Sequence, residues 1–188
     1  MTQVKPRAVD LCCGSGGVTE ALLDAGYEVT GVDIVKHPKY PRTAGFILAD
    51  VIGLNGLQFA STRFMWASPP CVEFSRWRMP WTRELAREPS LAIVDACYRI
   101  RDEAQPDVFI LENVREAQRW LGKANLQRAE RYLWGDVLLA PAVQARAKES
   151  FSGLQADLRA RVPHDLVFAL AMMAKENPRL QKHLEAQP

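Results

Sequence analysis

Apolar residues along this chain fall into short runs, and most runs end at a glycine, a proline or an acid. Residues 7–11 (RAVDL) form the first and stop at Cys13-Gly14-Ser15-Gly16-Gly17. The next stretch, VTEALLDAG, places Val18, Leu22 and Ala25 at helical spacing, and Gly26 is a natural stop. YEVTGVDI then gives a strand-like run carrying Asp33 near its end. Residues 34–45, with His37, Pro38, Pro41 and Gly45, have loop composition. FILAD (46–50) predicts a third strand and RFMWA (63–67) a fourth, broken by Pro69-Pro70.

Beyond the prolines, residues 72–90 are polar, aromatic and proline-punctuated, which predicts a long loop. Residues 91–104 carry Leu91, Val94, Cys97 and Tyr98 on one helical stripe. DVFILEN (107–113) predicts a fifth strand, 114–121 a helix and RYLW (131–134) a sixth strand. Residues 135–163 show no clear pattern, 164–176 form a final helix, and 177–188 resemble a loose helical tail. Strands alternating with helices predict an α/β fold, a mostly parallel sheet with helices on both faces.

Composition narrows this picture. A length of 188 residues suits one domain. The expected division is a core over 1–136, a connecting segment over 137–163, a closing helix over 164–176 and the tail. A formal net charge of +2 requires any nucleic-acid footprint to be local. No signal-like apolar segment opens the chain and no run of about 18 apolar residues occurs, so a cytoplasmic protein without a membrane partner is expected. The four cysteines form no C-x-x-C pair, so neither a metal nor a disulfide is expected. A monomer is expected.

Open parallel sheets bind ligands at the carboxyl ends of their strands. The chain delivers its unusual residues there in order: the glycine turn, Asp33, Asp50, Pro-Pro-Cys71 and Glu112-Asn113. The turn lets backbone approach a ligand, and the following helix points its positive end at it. Taken alone, the turn suits a purely structural corner or a nicotinamide cofactor equally. Asp33 is placed to accept from ribose hydroxyls and Asp50 from an adenine amine, although each acid also fits a solvated strand end. Together they describe a pocket for an adenosine-bearing cofactor. Cys71 follows two prolines that fix its backbone, in a loop too polar to bury a hydrophobe. A nearby arginine, with Arg76 and Arg78 the closest in sequence, would raise its thiolate fraction. Cys12, Cys13 and Cys97 fit small buried hydrophobes better.

With these residues in place, the chain resembles the DNA cytosine-5 methyltransferases over roughly residues 8 to 136. DLCCGSGG (10–17) is similar to the family's D-L-F-x-G-x-G-G cofactor loop, with Cys12 where phenylalanine is usual. GVDI (31–34), ILAD (47–50), SPPCVEFS (68–75) and LENV (111–114) are similar to its ribose, adenine, catalytic and E-N-V segments. The 72–90 loop and YLWGD (132–136) resemble the compact versions of bacteriophages and related bacteria, which implies a bacterial or phage-infected host cytoplasm.

The resemblance implies a Rossmann-like methyltransferase fold using S-adenosyl-L-methionine and releasing S-adenosyl-L-homocysteine. It assigns the cofactor to Asp10, Leu11, Cys12, Gly14, Ser15, Gly16, Gly17, Asp33, Ile34, Asp50, Val51 and Pro69. It assigns catalysis to Cys71, which attacks carbon 6 of a flipped-out cytosine, and to Glu112, which contacts ring nitrogen 3 and the exocyclic amine. Ser68, Pro70, Ser75, Arg76, Trp77, Arg78, Asn113 and Arg115 would hold double-stranded DNA, with Asn113 also holding the turn that carries Glu112. In SRWRMPWTR the arginines suit phosphates and an aromatic suits the vacated stack, or the tryptophans simply pack on the domain. Arg115, Arg119, Lys123, Arg128 and Arg131 form a second basic stretch, which fits a solvated face equally well.

Two departures stand out. The family's Q-x-R-x-R element has imperfect candidates at Gln127-Arg128-Ala129-Glu130-Arg131 and at Gln144-Ala145-Arg146-Ala147-Lys148. The target-recognition domain is reduced or absent, since only 135–163 stands where it belongs, so a short recognition sequence is expected. RVPHDLVFALA (161–171) is faintly similar to the closing N-A-V-P-P segment. Cytosine-5 methylation of RNA and a non-catalytic cofactor- or DNA-binding module remain the alternatives. A nicotinamide dehydrogenase fits less well, because no tyrosine-lysine or histidine dyad accompanies the turn.

Overall fold

The computed structural model describes residues 4–75, 88–137 and 162–176. Seven strands form one sheet in the order β3-β2-β1-β4-β5-β7-β6. They are β1 (Arg7–Leu11), β2 (Glu28–Asp33), β3 (Gly45–Leu48), β4 (Phe64–Ala67), β5 (Val108–Asn113), β6 (Leu126–Arg128) and β7 (Arg131–Gly135). The first five pair in parallel, and β7 runs antiparallel to both β5 and β6. This is the doubly wound α/β arrangement expected of a Rossmann-like methyltransferase fold, with an antiparallel hairpin closing one edge.

Every residue of β4 and β5 is buried, because helices cover both faces of the central strands. Their side chains alternate between two cores. Phe64, Trp66, Val108 and Ile110 join Val18, Leu22, Leu166 and Leu170 on one face. Met65, Ala67, Phe109 and Leu111 join Val94, Cys97 and Ile100 on the other. The first face is thus covered by α1 (Gly17–Asp24) and α5 (His164–Glu176), the second by α3 (Ala92–Ala104). Two short helices, α2 (Val72–Ser75) and α4 (Gln118–Leu121), follow β4 and β5 on the rim.

Sequence pattern and structure agree on β1 to β5, α1, α3 and α5 within a residue or two. They differ at three places. The predicted loop at 72–90 opens instead with a helical turn, α2, where Phe74 is buried; residues 76–87 lie outside the described set. The predicted sixth strand at 131–134 is the seventh, because Leu126–Arg128 pairs with it first. The basic stretch 115–131 does not share one solvated face: Arg128 is buried against Asp165 and Arg131 turns toward Glu112. The formless segment and the tail fall mostly on residues 138–161 and 177–188, outside the described residues.

Helix α5 is tied down by polar contacts along its length. Tyr27 Oη donates to the Ala171 carbonyl at 2.9 Å, and Lys175 Nζ donates to the Ala25 carbonyl at 2.9 Å. His164 Nε2 meets Asp24 Oδ2 at 2.9 Å. Val162 and Pro163 lead into this helix, so the stretch compared with the family's closing segment backs α1. No described helix is long and apolar enough to cross a membrane.

Candidate active site

Parallel registry brings the carboxyl ends of the strands level. Leu11 sits opposite Val32 and Ala67, and Ala67 opposite Leu111. The loops that follow these ends therefore meet on one rim.

The turn after β1 is built on left-handed backbone. Cys12, Gly14 and Gly16 have φ of 58°, 51° and 85°. At Gly16 a Cβ would lie 2.4 Å from Pro41 Cδ, so only glycine lets the 34–44 loop close over the turn. At Gly14 a Cβ would meet nothing within 4 Å, so this backbone faces open space. Gly14 N donates to Asp33 Oδ2 at 2.9 Å, which fixes the turn to the end of β2. The other Asp33 oxygen accepts from Val35 N at 3.1 Å. Asp50 caps a short 3-10 turn by accepting from Ile52 N at 2.9 Å.

Asp10 lies beneath the turn and is fully buried. Thr19 Oγ1 donates to its Oδ2 at 2.7 Å, while Oδ1 has no hydrogen-bond partner among the described residues. Burial raises this carboxyl from 3.8 to about 7, against the lowering effect of Thr19. Nearby, Ile34 and Leu48 are 67% and 66% exposed. An orphaned carboxylate oxygen, bare backbone at Gly14 and exposed aliphatics beside Asp33 fit a cationic amino acid joined to an adenosine. S-Adenosyl-L-methionine has that composition. Leu11 and Val51, by contrast, are buried in the α3-side core and offer such a ligand no side chain. Cys12 is half-buried and packs against the core that holds Cys97 of α3, so its thiol turns away from the rim. Ser15 and Gly17 flank the turn, with Gly17 opening α1.

The second half of the rim carries the reactive groups. Cys71 is exposed at the start of α2. Asn113 Nδ2 donates to the Pro69 carbonyl at 2.9 Å, and its Oδ1 accepts from Val114 N at 2.9 Å. One buried amide thus joins the Pro-Pro-Cys corner to the end of β5. Pro69 is buried in this corner, Pro70 is exposed, and Ser75 closes α2 half-buried. Glu112 is only 5% exposed, and Arg131 Nη1 donates to its Oε1 at 3.2 Å. Ser68 lies close enough to the same carboxyl to favour its charged form. Ser68 Oγ itself accepts from Trp66 Nε1 at 2.8 Å. Burial pushes Glu112 above the usual carboxylate range, although Arg131 and Ser68 pull it back.

Although Cys71 is exposed, surrounding atoms partly desolvate its thiol and push it up, and the Glu112 charge adds to this. Arg131 acts in the opposite sense. Among the described residues, the arginine that favours a thiolate is Arg131, across the sheet hairpin. Arg76 and Arg78, expected from sequence, lie outside the described residues with Trp77. Arg115 is exposed beside the rim. Sequence reasoning did not single out Trp66 or Thr19, and it left Arg131 in one of two imperfect motifs. Thr19 alone carried a visible signal, a polar residue on the buried side of an amphipathic helix. No group of described residues is arranged to hold a metal ion.

The fold and this rim define an α/β domain that sets a thiol beside a buried carboxyl group at the carboxyl ends of its parallel strands. The chain belongs to the C-5 cytosine-specific DNA methylase family, whose pattern matches residues 7–128. It is 29% identical over 111 residues to the type II methyltransferase M.SacI of Streptomyces achromogenes. That alignment covers 54% of this chain and 28% of the relative, so the chain spans little more than a quarter of the relative's length. Among solved structures, the Dnmt2 methyltransferase of S. pombe is 20% identical with a TM-score of 0.40, covering 61% of this chain and 36% of that one. The methyltransferase EhMeth of Entamoeba histolytica is 15% identical with a TM-score of 0.45, covering 64% and 41%.

Proposed function

We propose that this chain methylates carbon 5 of cytosine in double-stranded DNA, through a covalent adduct on Cys71. The observation that carries this reading is the Cys71–Glu112–Arg131 cluster, with Asn113 locking its two loops together. S-Adenosyl-L-methionine, bound against Gly14, Asp33, Ile34 and Asp50 with Asp10 buried beneath the turn, would supply an electrophilic methyl group that carbon 5 takes once it has become nucleophilic.

Everything else falls to residues of the chain. Carbon 5 of cytosine is a poor nucleophile until a thiolate adds to carbon 6. Cys71 supplies that thiolate, and Arg131 offsets part of the cost of forming it. Electron density moving toward ring nitrogen 3 must be met by a proton. Glu112 is held protonated more readily than a surface acid, so it is suited to donate there. After methyl transfer, water removes the carbon 5 proton. The electron pair left behind expels Cys71 and restores the ring. The target base must leave the duplex first, at a cost of a few kcal/mol.

The test is transfer of tritium from labelled S-adenosyl-L-methionine to duplex DNA, with transfer RNA in parallel and Cys71→Ala beside the wild type. Label recovered as 5-methylcytosine in DNA, and absent with the variant, is the expected result. Label entering RNA alone would keep the chemistry and reassign the substrate. Cofactor binding with transfer to neither would contradict the catalytic reading.

A further inference from the structure

Outside the reacting groups, one cluster already holds an anion. The 3-10 turn Arg115–Ala117 and α4 leave the end of β5 and carry Arg119 and Trp120. Trp120 Nε1 donates to Glu88 Oε2 at 2.8 Å, and Arg119 Nη2 lies 4.0 Å from Glu88 Oε1. The Arg119 guanidinium sits 5.2 Å from the centre of the Trp120 ring. Arg115, Glu116, Gln118, Arg119 and Trp120 line a pocket of about 330 Å³. Both Arg119 and Glu88 are largely exposed, so the ion pair is a weak tether.

The pocket adjoins the nucleophile. Phe74, three residues beyond Cys71, packs its ring 5.7 Å from Trp120. The charge of Glu116, on the pocket wall, acts on the Cys71 thiol. An indole N–H and a guanidinium converging on two carboxylate oxygens form a donor set that suits two phosphate oxygens equally well.

We propose that Arg119 and Trp120 form a binding subsite for a DNA backbone phosphodiester next to the target cytosine, and that Glu88 occupies it in the free protein. Nucleic acid displaces the Glu88 carboxylate from Trp120 and Arg119. This rests on the nucleic-acid substrate proposed above.

Binding of the full chain to a fluorescent duplex oligonucleotide, measured across a salt series, tests it. Arg119→Ala and Glu88→Gln are compared with Arg7→Ala and Glu28→Gln, exposed charges paired at the amino-terminal ends of β1 and β2, away from the rim. Arg119→Ala should weaken binding about 3- to 10-fold and reduce the slope of log K against log salt by about 0.9, one phosphate contact. Glu88→Gln should tighten binding several-fold beyond its charge control, with a melting curve showing that both variants fold. Variants indistinguishable from their controls, on a wild type that binds duplex, would overturn the subsite alone. The same shifts on hairpin RNA but not on duplex would overturn its assignment to DNA. A wild type that binds neither would overturn the proposed function and the subsite with it.

Discussion

Three residues set the proton inventory of the rim. Arg131 lowers both Cys71 and Glu112, so removing it moves both in the same direction. The proposed mechanism needs Cys71 ionised and Glu112 protonated, the reverse of their usual order. For Arg131→Ala, both limbs of the pH profile of kcat/KM should move to higher pH. Limbs that stay in place while activity falls would show Arg131 acting elsewhere. Asp10 makes a prediction about stability. Its carboxyl is raised on folding, so its contribution is full below about 3.8 and is lost as pH rises through about 7. Asp10→Asn keeps the acceptor for Thr19 and removes the buried charge. By a shift of this size it should gain on the order of 4 kcal/mol at pH 8, and the gain should shrink as pH falls from 7 toward 4. Denaturant titrations at pH 8 and pH 5 check this, and an equal effect at both would contradict it. The same variant should bind S-adenosyl-L-methionine more weakly.

Elements differ in how far the sequence announces them. The strands β1, β2, β4 and β5 were legible because each is an apolar run cut off by glycine, proline or an acid, and burial on both faces removes any need for alternation. The hairpin was only half legible. Leu126–Arg128 has three residues and two polar side chains, so only its pairing with β7 makes it a strand. The motif residues at the ends of β1, β4 and β5 were legible as chemistry, because short runs of unusual residues mark those corners. The Arg131–Glu112 pair was not, because the partners lie 19 positions apart and meet only through the antiparallel crossing of β5 and β7. Helix α5 was legible from its periodicity, but its berth against α1 depends on Tyr27, Lys175 and Asp24, which no local pattern links. Leu170 is 1% exposed in that interface. Leu170→Ala should therefore cost about 2–5 kcal/mol in a urea titration, without changing the identity of the methylated base. A cost below about 1 kcal/mol would mean that α5 packs less firmly than described.

At the scale of the molecule, a formal charge of +2 leaves little long-range attraction for DNA. Under the proposed function, affinity for DNA rests on local contacts, with Arg115 and Arg119 beside the rim as the proposed ones. Binding should weaken steeply with salt, roughly in proportion to the phosphates neutralised. An affinity unchanged between low and physiological salt would contradict that. Only residues 135–163 stand where a target-recognition domain belongs, so under the proposed function the methylated context should be short, on the order of a dinucleotide. A methylation map requiring four or more defined bases would oppose this.

The central claim is that Cys71 bonds to the cytosine it helps methylate. A duplex carrying 5-fluorocytosine at the target site tests it most directly, because fluorine cannot leave as a proton does and the elimination that frees the thiol stalls. With S-adenosyl-L-methionine present, the wild type should form a denaturant-stable protein–DNA complex, with the modified cytosine mapped to Cys71 by mass spectrometry. Cys71→Ala should form none. Methylation of ordinary duplex with no trapped complex, or a complex that survives Cys71→Ala, would contradict the account.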